Sequence, residues 1–311
     1  MIRNTKHDPS KTLEDLGYAF NDEGKLMKLD PETKKAGTEP FNFMISEDEN
    51  YNQEHYEMVG EAITDHVYQL LEEQLHMHKL PVPSDYRFEH RSFVFVTKDV
   101  FVNTEKLLVL VHGSGVVRAG QWARSIIIND SLQAGSMVPF IKKAQELGYA
   151  VLVTNTNDND RFLNGKRIVI KGSSSPKEHF DFVWKNYVRD CKCKHVAILA
   201  HSYGGLLIVE MVEKYFSEFK ERVFAIAFTD SVHSITGQKV SKKVSDFLQK
   251  VSINWVASDL PLDTAVKTPH NEITRLSAGH EKHEMTTWSS FHSLFRFFED
   301  RYQHSREKQE L

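Results

Sequence analysis

Apolar positions along the chain switch repeatedly between runs and helical spacing, and the switches divide it into alternating strands and helices. Apolar runs over 92–97, 106–111, 149–154, 195–200, 222–230, 253–257 and 274–279 predict strands. The run at 106–111 is continuous, as in a strand buried on both faces of a parallel sheet. Val59, Ile63, Val67, Leu70, Leu71 and Leu75 recur at helical spacing and predict a long helix over about 49–78. Further helices are predicted over 138–147, from an N-terminal Ser175-Pro176, from Leu206, over 240–251 and over 288–302. Residues 17–29 read as a hairpin around Asn21–Gly24, and the polar stretch 155–175 as a surface loop or small cap. This alternation predicts an α/β fold, a mostly parallel sheet with helices on both faces and right-handed crossovers. The expected organisation is an N-terminal extension (1–88) packed on the core, an α/β-hydrolase-like domain (89–303) and a polar tail (304–311).

The run 195–200 ends in Ala200-His201-Ser202-Tyr203-Gly204-Gly205 and passes at once into a helical pattern. That is a nucleophile elbow, where small neighbours let a serine in a sparsely populated backbone conformation stand above the sheet. An earlier strand ends in the glycine-rich loop His112-Gly113-Ser114-Gly115, of the kind that offers backbone N–H groups to an oxyanion. The elbow serine becomes a nucleophile only with a base to take its proton and a carboxylate to orient that base. In α/β-hydrolase order the acid follows a late strand and the histidine follows the last one. On that order the expected triad is Ser202, Asp263 and His283, with Asp230 and Asp259 as alternative acids and His280 as the alternative base. The expected oxyanion donors are the N–H of Tyr203 and one from Ser114 or Gly115. The plain reading stands beside this one: Ser202 as a tight turn, His112 and His201 as satisfied structural groups, and triad-like spacing arising by chance among 16 histidines. Arg118–Arg124 reads equally as a substrate contact and as packing over the sheet edge.

With 40% hydrophobic and 11% aromatic residues in 311, the chain can bury a large core, which excludes wholesale disorder. Its 39 basic residues are slightly outnumbered by 43 acids and are dispersed, which argues against direct nucleic-acid binding. Cys191 and Cys193 are too close for an ordinary disulfide and too few for a metal cage, so they read as free thiols in a reducing compartment. His280 and His283 lack a third ligand; no metal and no cofactor is expected. No run reaches membrane-spanning length and Met1–Pro9 holds no apolar signal segment, while Lys308–Leu311 is similar to an endoplasmic-reticulum retrieval tag.

Four motifs together carry a resemblance over about 13–298: His112–Arg124, Ala200–Gly205, Thr229-Asp230-Ser231-Val232-His233 and Pro261-Leu262-Asp263-Thr264. The chain resembles the Argonaute-binding-protein-two domain family, and most closely its animal members, "family with sequence similarity 172". The resemblance implies an α/β-hydrolase-type fold, a nucleophile position on Ser202 and hydrolase activity. It also implies association with an Argonaute-type protein and a chromatin remodeller, effects on alternative splicing, and nuclear, cytoplasmic and reticulum locations. The chain departs from those relatives by lacking a long lysine-rich insertion between Asn155 and Pro176 and an apolar leader, so import or docking through those segments is not expected of it.

Overall fold

The computed structural model describes residues 11–85, 87 and 89–307, so the readings of Met1–Pro9 and of Lys308–Leu311 fall outside the described residues. Eight strands form the main sheet: β1 (His78–Val82), β2 (Ser92–Val96), β3 (Lys106–Val111), β4 (Tyr149–Val153), β5 (His195–His201), β6 (Val223–Thr229), β7 (Ser252–Val256) and β8 (Arg275–Ser277). Their order is β8-β7-β6-β5-β3-β4-β2-β1. β2 runs antiparallel to β1 and β4, and every other pairing is parallel. This is the α/β-hydrolase sheet, and it puts β5 near the middle, so that the loops from β3 and β6 flank whatever follows it.

Every side chain of β3, β4 and β5 is buried, because the alternation of a strand feeds two cores at once. Leu108 and Leu110 face helix α1 (Glu49–Gln69), helix α2 (Val138–Glu146) and the C-terminal helix α6 (Phe291–Glu307). Leu107, Val109 and Val111 face helices α3 (Pro176–Val183), α4 (Tyr203–Lys214) and α5 (Lys242–Val251). Cys191 and Cys193 are free and buried in the second core. No helix among the described residues is long and apolar enough to cross a membrane.

Two elements differ from the periodicity. The helix predicted to about His78 ends at Gln69 and closes with one wider turn, Leu70–Gln74; His78–Val82 is instead the edge strand β1, in register with β2 from His78↔Val96 to Val82↔Ser92. Leu75 continues the helical spacing only because it packs into the same core as Leu71. The polar stretch 155–175 contains a hairpin, Asp160–Leu163 with Lys166–Val169, turned by Asn164 and Gly165. Both turn residues have positive φ (50° and 75°), which Asn-Gly adopts at little cost. At the N-terminus the hairpin Tyr18–Phe20 and Leu26–Leu29 gains a third strand, Ala36–Pro40.

Candidate active site

Ser202 follows β5 and precedes α4 with φ 53° and ψ −120°, a region that L-residues occupy only under constraint. The constraint comes from its neighbours. Its N–H donates to Thr229 O (3.0 Å), and its carbonyl accepts from the N–H groups of Gly205 (3.1 Å) and Val232 (3.3 Å). The elbow closes only because glycines follow: a Cβ on Gly204 would stand 2.7 Å from Val111 O and 2.8 Å from His112 O, and one on Gly205 would overlap Ser231 Oγ. The side chain of Ser202 is left half-buried at the C-terminal edge of the sheet.

The loop after β3 runs alongside. Gly113 abuts the elbow, its missing Cβ falling 3.1 Å from Ser202 Cβ, while Ser114 and Gly115 are exposed beyond it. This loop is held from β4: Asn157 Nδ2 donates to Gly113 O (2.9 Å) and Val117 O (3.1 Å), and Asn155 Oδ1 accepts from Ala119 N (2.9 Å). Sequence reading missed both asparagines, whose only signal was their place just after a buried strand. Arg118–Arg124 packs inward: Gln121, Trp122 and Arg124 are buried, and Gln121 bonds Thr64 of α1 at 2.9 Å.

His283 lies in the loop after β8, at the start of a short helical turn. Its Nδ1 is 2.7 Å from Asp230 Oδ2. A carboxylate only accepts, so Nδ1 carries the proton and Nε2 is left with a free lone pair. The hydrogen bond to Asp230 raises the His283 pKa above its ordinary value, outweighing desolvation. Burial works against the Asp230 carboxylate, yet the bonds from His283 and from Ala257 N–H (3.2 Å) hold its pKa below the ordinary range. Asp230 directly follows β6 with φ 43°, where the chain turns sharply enough to aim its carboxyl back at His283.

The acid beside His283 is therefore Asp230, the alternative, and not Asp263. Asp263 turns the other way, accepting from Trp255 Nε1 (2.8 Å) and Ser293 Oγ (2.6 Å) and pairing with Arg296 at 3.4 Å; it ties the loop after β7 to α6. The reason is sheet order. β6 adjoins β5 whereas β7 is one strand further away, so the end of β6 is the shorter reach for a histidine whose ring lies 4.7 Å from that of His201, the last residue of β5. Asp259 is exposed. His280 accepts from Lys282 N (3.0 Å) at Nδ1, a local turn contact.

Behind the three residues is a second, wholly buried triangle. His201 Nδ1 is 3.1 Å from Thr229 Oγ1 and 3.2 Å from Thr287 Oγ1, and the two hydroxyls are 2.7 Å apart. His201 precedes Ser202, Thr229 precedes Asp230, and Thr287 is one helical turn beyond His283, so the triangle locks the three segments that carry Ser202, Asp230 and His283. The His201 ring also lies against that of His283, centroids 4.7 Å apart. Burial, reinforced by the neighbouring His283, holds His201 at a pKa of about 3, so it stays neutral there. His112 is fully buried too, with a pKa lowered to about 4 by desolvation and its Nδ1 on Gly113 O at 2.8 Å. Among the described residues no three His, Cys, Asp or Glu side chains are grouped to hold a metal ion.

A strained serine between β5 and α4, a histidine after β8 and a carboxylate after β6 define a protein of the α/β-hydrolase class. Residues 9–262 match the Arb2 domain, and the chain belongs to that family. It is 38% identical to "Cotranscriptional regulator ARB2A homolog" of Xenopus tropicalis, over 93% of this chain and 79% of that protein. It is 37% identical to "Cotranscriptional regulator ARB2A" of Homo sapiens, over 92% of this chain and 80% of that one. Among solved structures, the fold is similar to that of a histone deacetylase from Saccharomyces cerevisiae (TM-score 0.52, 15% identity, 79% of this chain and 98% of that one). It is also similar to the histone deacetylase Clr3 (TM-score 0.54, 13% identity, 86% and 41%). At such identities the likeness is one of fold alone.

Proposed function

We propose that this chain is a cotranscriptional regulator built on an α/β-hydrolase fold that keeps a working serine-hydrolase site, with Ser202 as nucleophile, His283 as base and Asp230 as the orienting carboxylate. The observation that carries the enzymatic half is the 2.7 Å bond from His283 Nδ1 to Asp230, made beside a serine in an elbow conformation. With Nδ1–H committed to Asp230, His283 Nε2 accepts the Ser202 proton as Oγ attacks the carbonyl carbon of an ester, thioester or amide. The oxyanion takes hydrogen bonds from Tyr203 N–H and from the Gly113–Gly115 loop. The imidazolium returns the proton to the leaving group, an acyl-serine forms, and water repeats the sequence to release the acid. A fluorophosphonate probe tests this: wild type is labelled at Ser202, and Ser202→Ala is not. Absence of labelling on the folded wild type refutes the enzymatic half.

The regulatory half is supported by the names of the relatives. On this reading the chain acts in the nucleus as well as the cytoplasm, with an Argonaute-type protein and a chromatin remodeller as partners and alternative splicing as the process affected. Binding through an outer surface is independent of the nucleophile, so tagged wild type and Ser202→Ala should co-purify the same partners from nuclear extract. Loss of both labelling and specific partners would identify an inactive paralogue.

A further inference from the structure

The exposed large apolar side chains among the described residues fall mostly into two groups, one on 43–58 and one on the loops leaving the C-terminal ends of β3, β4, β6 and β7. Four of the second group, Val116 (55% exposed), Val232 (53%), Leu260 (40%) and Leu262 (38%), lie on loops joined to the elbow or to Asp230. Each belongs to a loop that builds the site. Val116 stands three residues beyond Gly113, which abuts Ser202. Val232 donates its own N–H to Ser202 O. The loop bearing Leu260 and Leu262 is bonded to Asp230 through Ala257 N–H and to His280 O through Ser258 N–H (3.0 Å). Leu262 also packs on Gly279, where a Cβ would meet its backbone at 3.2 Å.

The site itself is open: Ser202 is half-buried, Ser114 and Gly115 are exposed, and the His283 side chain is 40% exposed. An acetyl group on Ser202 would touch only the nucleophile and the oxyanion donors. A longer aliphatic chain leaving the same carbonyl would cross the rim, burying itself and the rim together. The charges nearby favour a neutral chain over a polyanion or an anionic lipid surface. Asp259, Glu281 and Glu284 are exposed on these loops and outnumber the exposed Lys282 beside His283, while Arg118 is folded back onto Val116 O (3.3 Å) and Val117 O (3.2 Å).

Resting on the serine-hydrolase reading above, we infer that the substrate is an ester or thioester of a medium-chain aliphatic acid, whose chain lies on Val116, Val232, Leu260 and Leu262. The test is a series of p-nitrophenyl esters from acetate to decanoate, held below their aggregation limits, with fluorophosphonate labelling of Ser202 run in parallel. On wild type, kcat/KM rises about twofold per added methylene, the value for half-burial of each group. In Val232→Ser and in the double variant Leu260→Ser/Leu262→Ser the rise flattens, while Val102→Ser, on the opposite edge of the sheet, keeps it. Labelling of Ser202 with a flat or falling chain-length profile overturns this substrate class and leaves the hydrolase standing. Turnover that appears only on aggregated ester points to a lipid surface and overturns it too. No labelling and no turnover removes both readings.

Discussion

His283 Nδ1 meets Asp230 Oδ2 at 2.7 Å between the loops that follow β8 and β6, two strands with β7 between them, although 53 residues separate the pair in the chain. This one bond selects the tautomer of His283 and raises its pKa, and on the proposed mechanism it makes Asp230 the acid. It also sets Asp230 apart from Asp263 and Asp259, the three aspartates that the sequence left in competition.

Asp230→Asn keeps the shape of the side chain but removes the charge that stabilises an imidazolium and can present an NH2 group to His283 Nδ1, favouring the wrong tautomer. The rate of Ser202 labelling should fall by about 10⁴-fold, the loss expected when a triad carboxylate becomes an amide. Asp263→Asn should leave that rate within about twofold and lower stability by about 1 kcal/mol through weaker bonds to Trp255 and Ser293. The reverse ranking of the two variants would return the acid to the loop after β7.

The pH profile has a definite sign. The base works only when neutral, and Asp230 raises its pKa, so labelling should rise with pH along a limb centred above the ordinary histidine value of 6.5. In Asp230→Asn the residual limb should move to lower pH, because the carboxylate holding the proton on His283 is gone. A limb at the same pH in both proteins would show that another group is titrating.

How much of this was legible beforehand follows from the range of each interaction. The elbow was readable because strand, small residues and helix are contiguous, and Gly204 and Gly205 are required by contacts within a few residues or across one strand. The sheet was readable from runs such as Lys106–Val111, whose burial on both faces leaves no polar positions. The acid was not, because two strand ends offered three aspartates, Asp230 after one and Asp259 and Asp263 after the other, and only sheet order and the turn at Asp230 decide among them. Thr229-Asp230 stood within a recognised motif, but its meaning depended on a histidine far along the chain. The His201–Thr229–Thr287 triangle was invisible for the same reason, and β1 was hidden because Leu75 extends a helical period by packing rather than by helicity.

Thr287→Val tests the triangle. The exchange nearly conserves volume but strips one hydroxyl from a buried set of three, leaving Thr229 Oγ1 and His201 Nδ1 one partner short, at a cost of about 1–3 kcal/mol. Because Thr287 sits one turn from His283, labelling should slow about tenfold and its pH limb should shift, while Thr287→Ser should restore both. A loss of stability with an unchanged rate and limb would make the triangle purely structural.

Gly204→Ala tests the closeness of the elbow. The added methyl would stand 2.7 Å from Val111 O and 2.8 Å from His112 O, both backbone atoms in fully buried surroundings that cannot yield. A loss of about 1–3 kcal/mol is expected, read as a shift in urea midpoint. An unchanged midpoint would mean that α4 slides relative to β3, and the oxyanion geometry would have to be rebuilt on that basis.

The buried histidines set the acid limit of the fold. His112, His179 and His201 are fully buried with pKa values lowered to about 4, 3 and 3, chiefly by desolvation. His179 is satisfied as a neutral ring, Nε2 accepting from Asn155 N–H (3.1 Å) and Nδ1 donating to Ser173 Oγ (2.8 Å), so protonation would break a made bond. In the unfolded chain each titrates near 6.5, so below that pH the unfolded state binds more protons than the folded one. The stability they contribute is complete above pH 6.5 and is lost as pH falls toward their folded values. Each accounts for about 1.4 kcal/mol per pH unit, about 4 kcal/mol per unit for the three together. His283 has the opposite sign: its raised pKa adds stability that is present below 6.5 and disappears as pH rises through its folded value, so it does not contribute to the acid loss. Urea midpoints measured at pH 7, 6 and 5 should therefore fall steeply between 6 and 5. His179→Gln, although less stable at neutral pH, should show a shallower fall. Midpoints that stay level down to pH 5 would mean that these rings are hydrated or protonated in the folded protein, and the neutral His201 behind the candidate base would go with them.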